Sequence, residues 1–410
     1  MLASICRRRR LATPLRQILA GGGAAATNPV RSIPESVLLS HGDYSTAVAA
    51  ASADPEPCPA TVSYLLSCGL SAAAAAVAAR NFRIRDTDRA SAVQALLREY
   101  GFSEAEVART LRHMSVLLIL DPDRIIRPKL DFFFSLGFEP RLFAAEPHIL
   151  SRSLDNHIVP CIEYLRGILG SDDNVRTAAC RVPRALLADP DKVMRPAVEA
   201  FRRNGLSKES ITKLLLIHLG LLMVPLDRID EAFDDMKELG LRVTDTGFLY
   251  GFRVICGLKR ETWRRKVALY QSLGVCEGDV LKAFKTQPTI LLASDKTINK
   301  RIRFYLDVLK LEMGHVMAHP MSLSLSLEKN IKPKCAVLSV LMREGKIEKK
   351  LNLLASLQCN SKVFTERFVQ RYAKDVPDVV KAFEGQIKFH GFGDREFELL
   401  SHLMTEAKKL

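Results

Sequence analysis

The sequence predicts an all-α fold, a curved α-solenoid of about eight helical repeats of roughly 34 residues each. Three observations carry this. Gly69, Gly101, Gly137, Gly170, Gly205, Gly240 and Gly274 recur at intervals of 32, 36, 33, 35, 35 and 34 residues. Lys310, in the context Leu309-Lys310-Leu311, occupies the place of an eighth glycine. A second marker, Pro-x-x-Leu, recurs at Pro147, Pro183, Pro288 and Pro320, and no stretch alternates as a strand would.

Each unit reads as helix, glycine turn, helix, Pro-x-x-Leu. Glycine takes positive φ and ends a helix. In Gly69-Leu70-Ser71, Gly101-Phe102-Ser103 and Gly205-Leu206-Ser207, the serine two residues on caps the next helix, and Ser103 with Glu106 forms a capping box. Val107, Leu111 and Met114 then follow at helical spacing. Upstream, Pro128, Pro160 and Pro196 stand nine or ten residues before their glycines, as expected of a first helical turn. Pro128 to Leu136 thus reads as one helix closed by Gly137. Asp121-Pro122-Asp123 and Asp189-Pro190-Asp191 read as turns in which aspartate caps a helix. One unit alone has too little core, and stacking buries the rest.

Outside the repeats, the first acidic residue is Glu35, after six arginines (Arg7 to Arg10, Arg16, Arg31) and no lysine. An acid-free, Arg-rich leader is expected of an organellar transit peptide. The expected organisation is a transit peptide over 1–40, a linker over 41–60, the repeat domain over 61–392 and a tail over 393–410. Mitochondrion is the first assignment, with chloroplast the alternative. Nine scattered cysteines without a C-x-x-C pair point to reduced, buried thiols, with neither a disulfide framework nor a zinc site. The most apolar stretch, Leu214 to Leu226, is too short to span a bilayer and reads as a buried helix and turn.

Charge is concentrated. Of the formal +14, residues 35–258 hold 26 Lys+Arg against 29 Asp+Glu, whereas residues 259–350 hold 19 against 9. A localised basic block neutralises phosphates and releases counterions. Its strongest part is Lys259, Arg260, Arg264, Arg265 and Lys266, with Trp263 and Tyr270 as base-stacking candidates or, equally, a core pair. Lys296, Lys300, Arg301 and Arg303 recur one unit later, then Lys329, Lys332 and Lys334, as a stripe at the repeat period. Lys346, Lys349 and Lys350 read as a solvated helix. His315 and His319, at i and i+4, have no accompanying carboxylate motif and read as structural. No catalytic constellation, metal site or cofactor motif is expected.

The combined unit, as in Pro128…Leu136-Gly137-Phe138…Pro147-x-x-Leu150, resembles the mitochondrial transcription termination factor (mTERF) family, particularly its plant members, from roughly Thr61 to Phe392. The resemblance implies a left-handed superhelix with a concave basic surface for duplex nucleic acid. It implies binding of organellar double-stranded DNA, as a monomer and away from membranes, in regulating or terminating transcription. RNA binding in intron splicing or ribosomal RNA maturation is the alternative, and a protein-interaction scaffold the third. The sequence departs from the pattern at Glu231 and Arg265, where helix prolines are missing, and around Leu222 and Ile255, which lack Pro-x-x-Leu.

Overall fold

The computed structural model describes residues 56–347, 351–394 and 396. These residues are helical throughout, with no strand among them, and form an all-α helical-repeat solenoid. They fall into two compact units, one up to Phe233 and one from Asp234. The expected leader lies outside the described residues, as do Lys349 and Lys350.

Every repeat turns where the sequence placed its marker. All seven glycines of the series have φ between 71° and 91°. Lys310 has φ 53°, and no other non-glycine residue among those described is left-handed. The sequence reading missed two further members, Gly345 at φ 64° and Gly385 at φ 82°. The next helix starts on the expected cap: Ser71, Ser103 and Ser207 each accept the backbone N–H three residues on, and Ser171, which the sequence reading did not single out, does the same. At Ser103 the reciprocal capping box with Glu106 is complete.

Pro128, Pro160 and Pro196 stand in the first turn of their α-helices, as expected, and a π-helical turn that the sequence did not suggest runs into each of those helices ahead of the proline. Asp121 caps a helix that begins at Pro122, its carboxylate accepting from the N–H groups of Asp123 (3.1 Å) and Arg124 (2.9 Å). Asp189 does the same before Pro190. The first turn is then wound as a π-helix: Arg127, just before Pro128, donates to Pro122 O, five residues back. Val159, Arg195 and Lys332, before Pro160, Pro196 and Pro333, repeat this at Leu154, Pro190 and Leu327. An internal proline removes one N–H and crowds the carbonyl four residues back, and the wider turn relieves both. Thr87–Glu99, Leu226–Glu238 and Arg260–Ser272, which lack the proline, are α-helical from the first residue.

Each Pro-x-x-Leu marker is a short 3₁₀ helix or turn: Pro147–Ser151, Pro183–Leu187, Pro288–Leu291 and Met321–Ser324. Leu219–Met223 adopts the same shape without a proline. Around Ile255 the pattern fails, and the single helix Phe248–Gly257 replaces both second helix and turn. Within the C-terminal unit these elements stack in sequence, with Thr289 and Ser324 hydroxyls 2.9 Å apart and Gln358 donating to His319 O at 3.1 Å.

One polar device recurs inside the repeats. A cation of the first helix reaches back under the short turn of its own unit and caps its carbonyls. Lys129 Nζ donates to Leu150 O at 2.7 Å. Lys266 Nζ donates to Ala293 O, with the Asp295 carboxylate 3.4 Å away. The Arg301 guanidinium donates to Leu323 O. Lys334 Nζ donates to Leu357 O at 2.9 Å and Cys359 O at 2.6 Å. Lys129, Lys266 and Lys334 are only 5 %, 4 % and 2 % exposed. Carbonyls at a helix end carry partial negative charge, so a buried amine there satisfies both groups.

Two predictions follow from these positions. A left-handed L-residue costs about 1–2 kcal/mol, partly offset in a glycine replacement by the freer unfolded chain. Lys310→Gly therefore raises stability by up to about 1 kcal/mol, while Gly205→Ala, whose added methyl meets nothing, lowers it by about 1 kcal/mol; urea midpoints check both. Burial pulls the Lys129 amine down to about 8 from 10.5, so between those values the unfolded chain binds more protons and stability rises with pH. The urea midpoint of the wild type is expected to gain on that of Lys129→Met as pH rises across that window. Lys334→Met, which strands two carbonyls, costs about 1–3 kcal/mol near neutral pH.

Candidate nucleic-acid interface

The basic block folds into three successive first helices of the C-terminal unit. Arg260–Ser272 buries Trp263, Val267 and Tyr270, spaced i, i+4, i+7, on one stripe. Asp295–Arg303 buries Ile298 and Ile302, which leaves Lys296, Lys300 and Arg303, again i, i+4, i+7, exposed along the opposite face. The third, Lys332–Arg343, is mostly core, and its basic residues gather at the entry, where Lys329 is exposed and Lys332 half-buried.

Carboxylates join these helices into one band. Asp295 pairs with Arg265 at 3.2 Å across one repeat boundary. Glu328 pairs with Lys300 at 2.9 Å across the next and with Lys332 at 2.9 Å within its own helix. Both lysines hold the Glu328 carboxyl below its usual range. Lys296 and Arg303 are exposed and pair with no carboxylate among the described residues. The band thus holds Arg265, Lys296, Lys300, Arg303, Lys329 and Lys332 against Asp295 and Glu328. Exposed ion pairs of this kind are worth about 1 kcal/mol or less, so their cations exchange readily onto phosphates.

The other residues expected at the interface are elsewhere. Lys266 and Lys334 point into the core as carbonyl caps, and Arg301 is half-buried in the same role. Burial lowers the Lys334 and Arg301 pKa values. Trp263 is 3 % exposed, its ring edge-on to Phe284 at 4.9 Å. Tyr270 is fully buried, donates toward Ile290 O at 3.4 Å, and has its phenol pKa raised by desolvation. These five are corrected from contact residues to structural ones. Arg260 is held at 2.9 Å by the buried Asp235 carboxylate, and Lys259 and Arg264 are half-buried.

The sequence contained signals for these corrections. The 263–267–270 spacing is a core stripe. Lys129 and Lys334 immediately follow helix prolines, where the other units place the small, buried Cys161 and Ala197. A cation at a position that is otherwise apolar is a buried one.

Among the described residues no three His, Cys, Asp or Glu side chains gather as a metal site would, and no helix is long and apolar enough to cross a membrane. His319 Nδ1 lies 3.1 Å from His315 O. Cys161, Cys256 and Cys335 are buried as expected, whereas Cys276 is exposed.

The family model for mTERF matches residues 93–311 and 254–365. The chain is 20 % identical over 223 residues to the transcription termination factor MTERF8, chloroplastic, of Arabidopsis thaliana, covering 53 % of this chain and 44 % of that protein. It is 22 % identical over 218 residues to MTERF15, mitochondrial, of the same plant, covering 52 % of this chain and 47 % of that protein. The matched region spans less than half the length of each of these relatives. Repeat pattern, helical architecture and the family match agree, and the chain belongs to the mTERF family.

Proposed function

We propose that this protein binds organellar nucleic acid, duplex DNA first, and regulates or terminates transcription. The band of six cations, of which Arg265, Lys300 and Lys332 are joined through Asp295 and Glu328, carries this reading. It spans three successive helices on exposed side chains, which suits a phosphate backbone that repeats its charge along its length. The relatives named for transcription termination support the role, and their naming as chloroplastic and mitochondrial supports an organelle. Mitochondrion is the assignment proposed here, with the acid-free leader as transit peptide and a single chain acting on the nucleic acid. The cations of the band are suited to binding phosphates, which supports a binding role.

Binding of the protein to a duplex of about 20 base pairs is expected to weaken steeply with salt, with a log–log slope near −0.9 per phosphate engaged. Reversing Lys296, Arg303 and Lys329 to glutamate removes roughly three of those contacts, flattens the slope by roughly 3, and lowers affinity at least tenfold in low salt. Lys282→Glu, an exposed charge on the second helix Glu277–Thr286, leaves affinity within twofold. Salt titrations followed by fluorescence anisotropy measure all of this. An unchanged slope in the triple variant sinks the proposal.

A further inference from the structure

The repeat pattern breaks at Phe248–Gly257, and there the chain exposes what the other repeats bury. Tyr250 is 50 % exposed and is the one exposed aromatic among the described residues. Its hydroxyl has no hydrogen bond to any of them. Three residues on, and so on the same helical face, lies Arg253. Arg253 is half-buried, yet it makes no hydrogen bond, ion pair or ring contact with a described residue. Burial pulls its pKa below the ordinary arginine value, with no opposing charge to restore it. On the other side of the helix Phe248, Phe252 and Ile255 are core, so the face is fixed in place. The Pro288–Leu291 turn packs against this helix and Met321–Ser324 packs on that turn, and each adds one exposed apolar side chain, Leu292 (41 %) and Met321 (43 %).

From this we infer that the Tyr250–Arg253 face binds an unpaired strand, Tyr250 stacking on a base and Arg253 holding the adjoining phosphate. This rests on the nucleic-acid reading above and adds a site for unpaired residues to a band suited to duplex. A half-desolvated guanidinium is costly to keep without an anion. An exposed ring beside it is the pairing that single strands use, since every base offers a flat face and every residue a phosphate. A protein ligand could supply a carboxylate and an apolar side chain, but the basic character of residues 259–350, with 19 Lys+Arg against 9 Asp+Glu, favours the polyanion.

The test uses the protein with 20-nucleotide single strands, RNA and DNA, and a duplex of equal length. Tyr250→Ala is expected to weaken single-strand binding by about 5- to 100-fold, the range of one base–aromatic stack, and to leave duplex binding within twofold. Tyr250→Phe, which keeps the ring, retains single-strand affinity. Arg253→Gln lowers it and flattens its salt slope by about 0.7, as loss of one phosphate contact requires. A strand carrying 5-iodouridine photocrosslinks to the tryptic peptide that contains Tyr250. The inference is overturned if Tyr250→Ala leaves single-strand affinity unmoved, if Tyr250→Phe fails alongside it, or if the crosslink maps elsewhere. Failure of wild-type protein to bind any of these probes overturns the nucleic-acid reading itself. Salt-dependent duplex binding with an indifferent Tyr250 overturns this inference alone.

Discussion

Everything in each repeat depends on one residue held at positive φ after the first helix. That conformation stops the helix and, except after Gly240 and Gly345, sends the chain into the cap of the next one within two residues. Only glycine takes it without a steric cost. The seven glycines could be found by eye for this reason, and Lys310 could be placed in their series although it is not a glycine. Its φ of 53° shows how far tertiary packing overrides the preference of one residue. Gly345 and Gly385 escaped notice because their neighbours do not carry the Gly-x-Ser and Pro-x-x-Leu marks that identified the others.

Fold class, turns and caps were legible because each rests on local chemistry: a glycine's freedom, a serine's hydroxyl, an aspartate's carboxylate. The fate of the cations was not, because it rests on which way a helix faces. Lys296 and Lys266 look alike in the sequence. One stands opposite Ile298 and Ile302 and meets solvent, and the other lies in the stripe of Val267 and Tyr270 and caps a carbonyl. The band at Arg265, Lys300 and Lys332 was visible as composition, but Asp295 and Glu328 as the residues that gather it were not. Both carboxylates lie about 30 positions from a partner, where no sequence window relates them.

The two kinds of cation divide the work of the fold. Those inside fix four of the short turns to their first helices, and a buried amine without acceptors would be expelled, so the geometry of turn and helix is coupled there. Those outside are held by exposed carboxylates that bind them weakly. Loss of an inner cation therefore moves the helix that presents the outer ones: Lys266 reaches Ala293 and Asp295, and Asp295 opens the helix bearing Lys296, Lys300 and Arg303. Stability and the placement of surface charge are thus linked through one side chain.

The first helices differ in length for the same physical reason that their turns widen. From first helical residue to left-handed residue, the proline-free helices take 14 steps, as in Thr87 to Gly101, Leu226 to Gly240 and Arg260 to Gly274. Where a proline sits inside, the count is larger: 15 from Pro122 to Gly137, 16 from Leu154 to Gly170, 15 from Pro190 to Gly205 and 18 from Leu327 to Gly345. A π turn takes up one residue more than the α turn it replaces. Asp295 to Lys310 also takes 15, with its wide turn at Phe304–Val308, near the end of the helix. The extra residue is thus absorbed wherever the backbone widens, and the faces of the helix beyond it stay in register with the core.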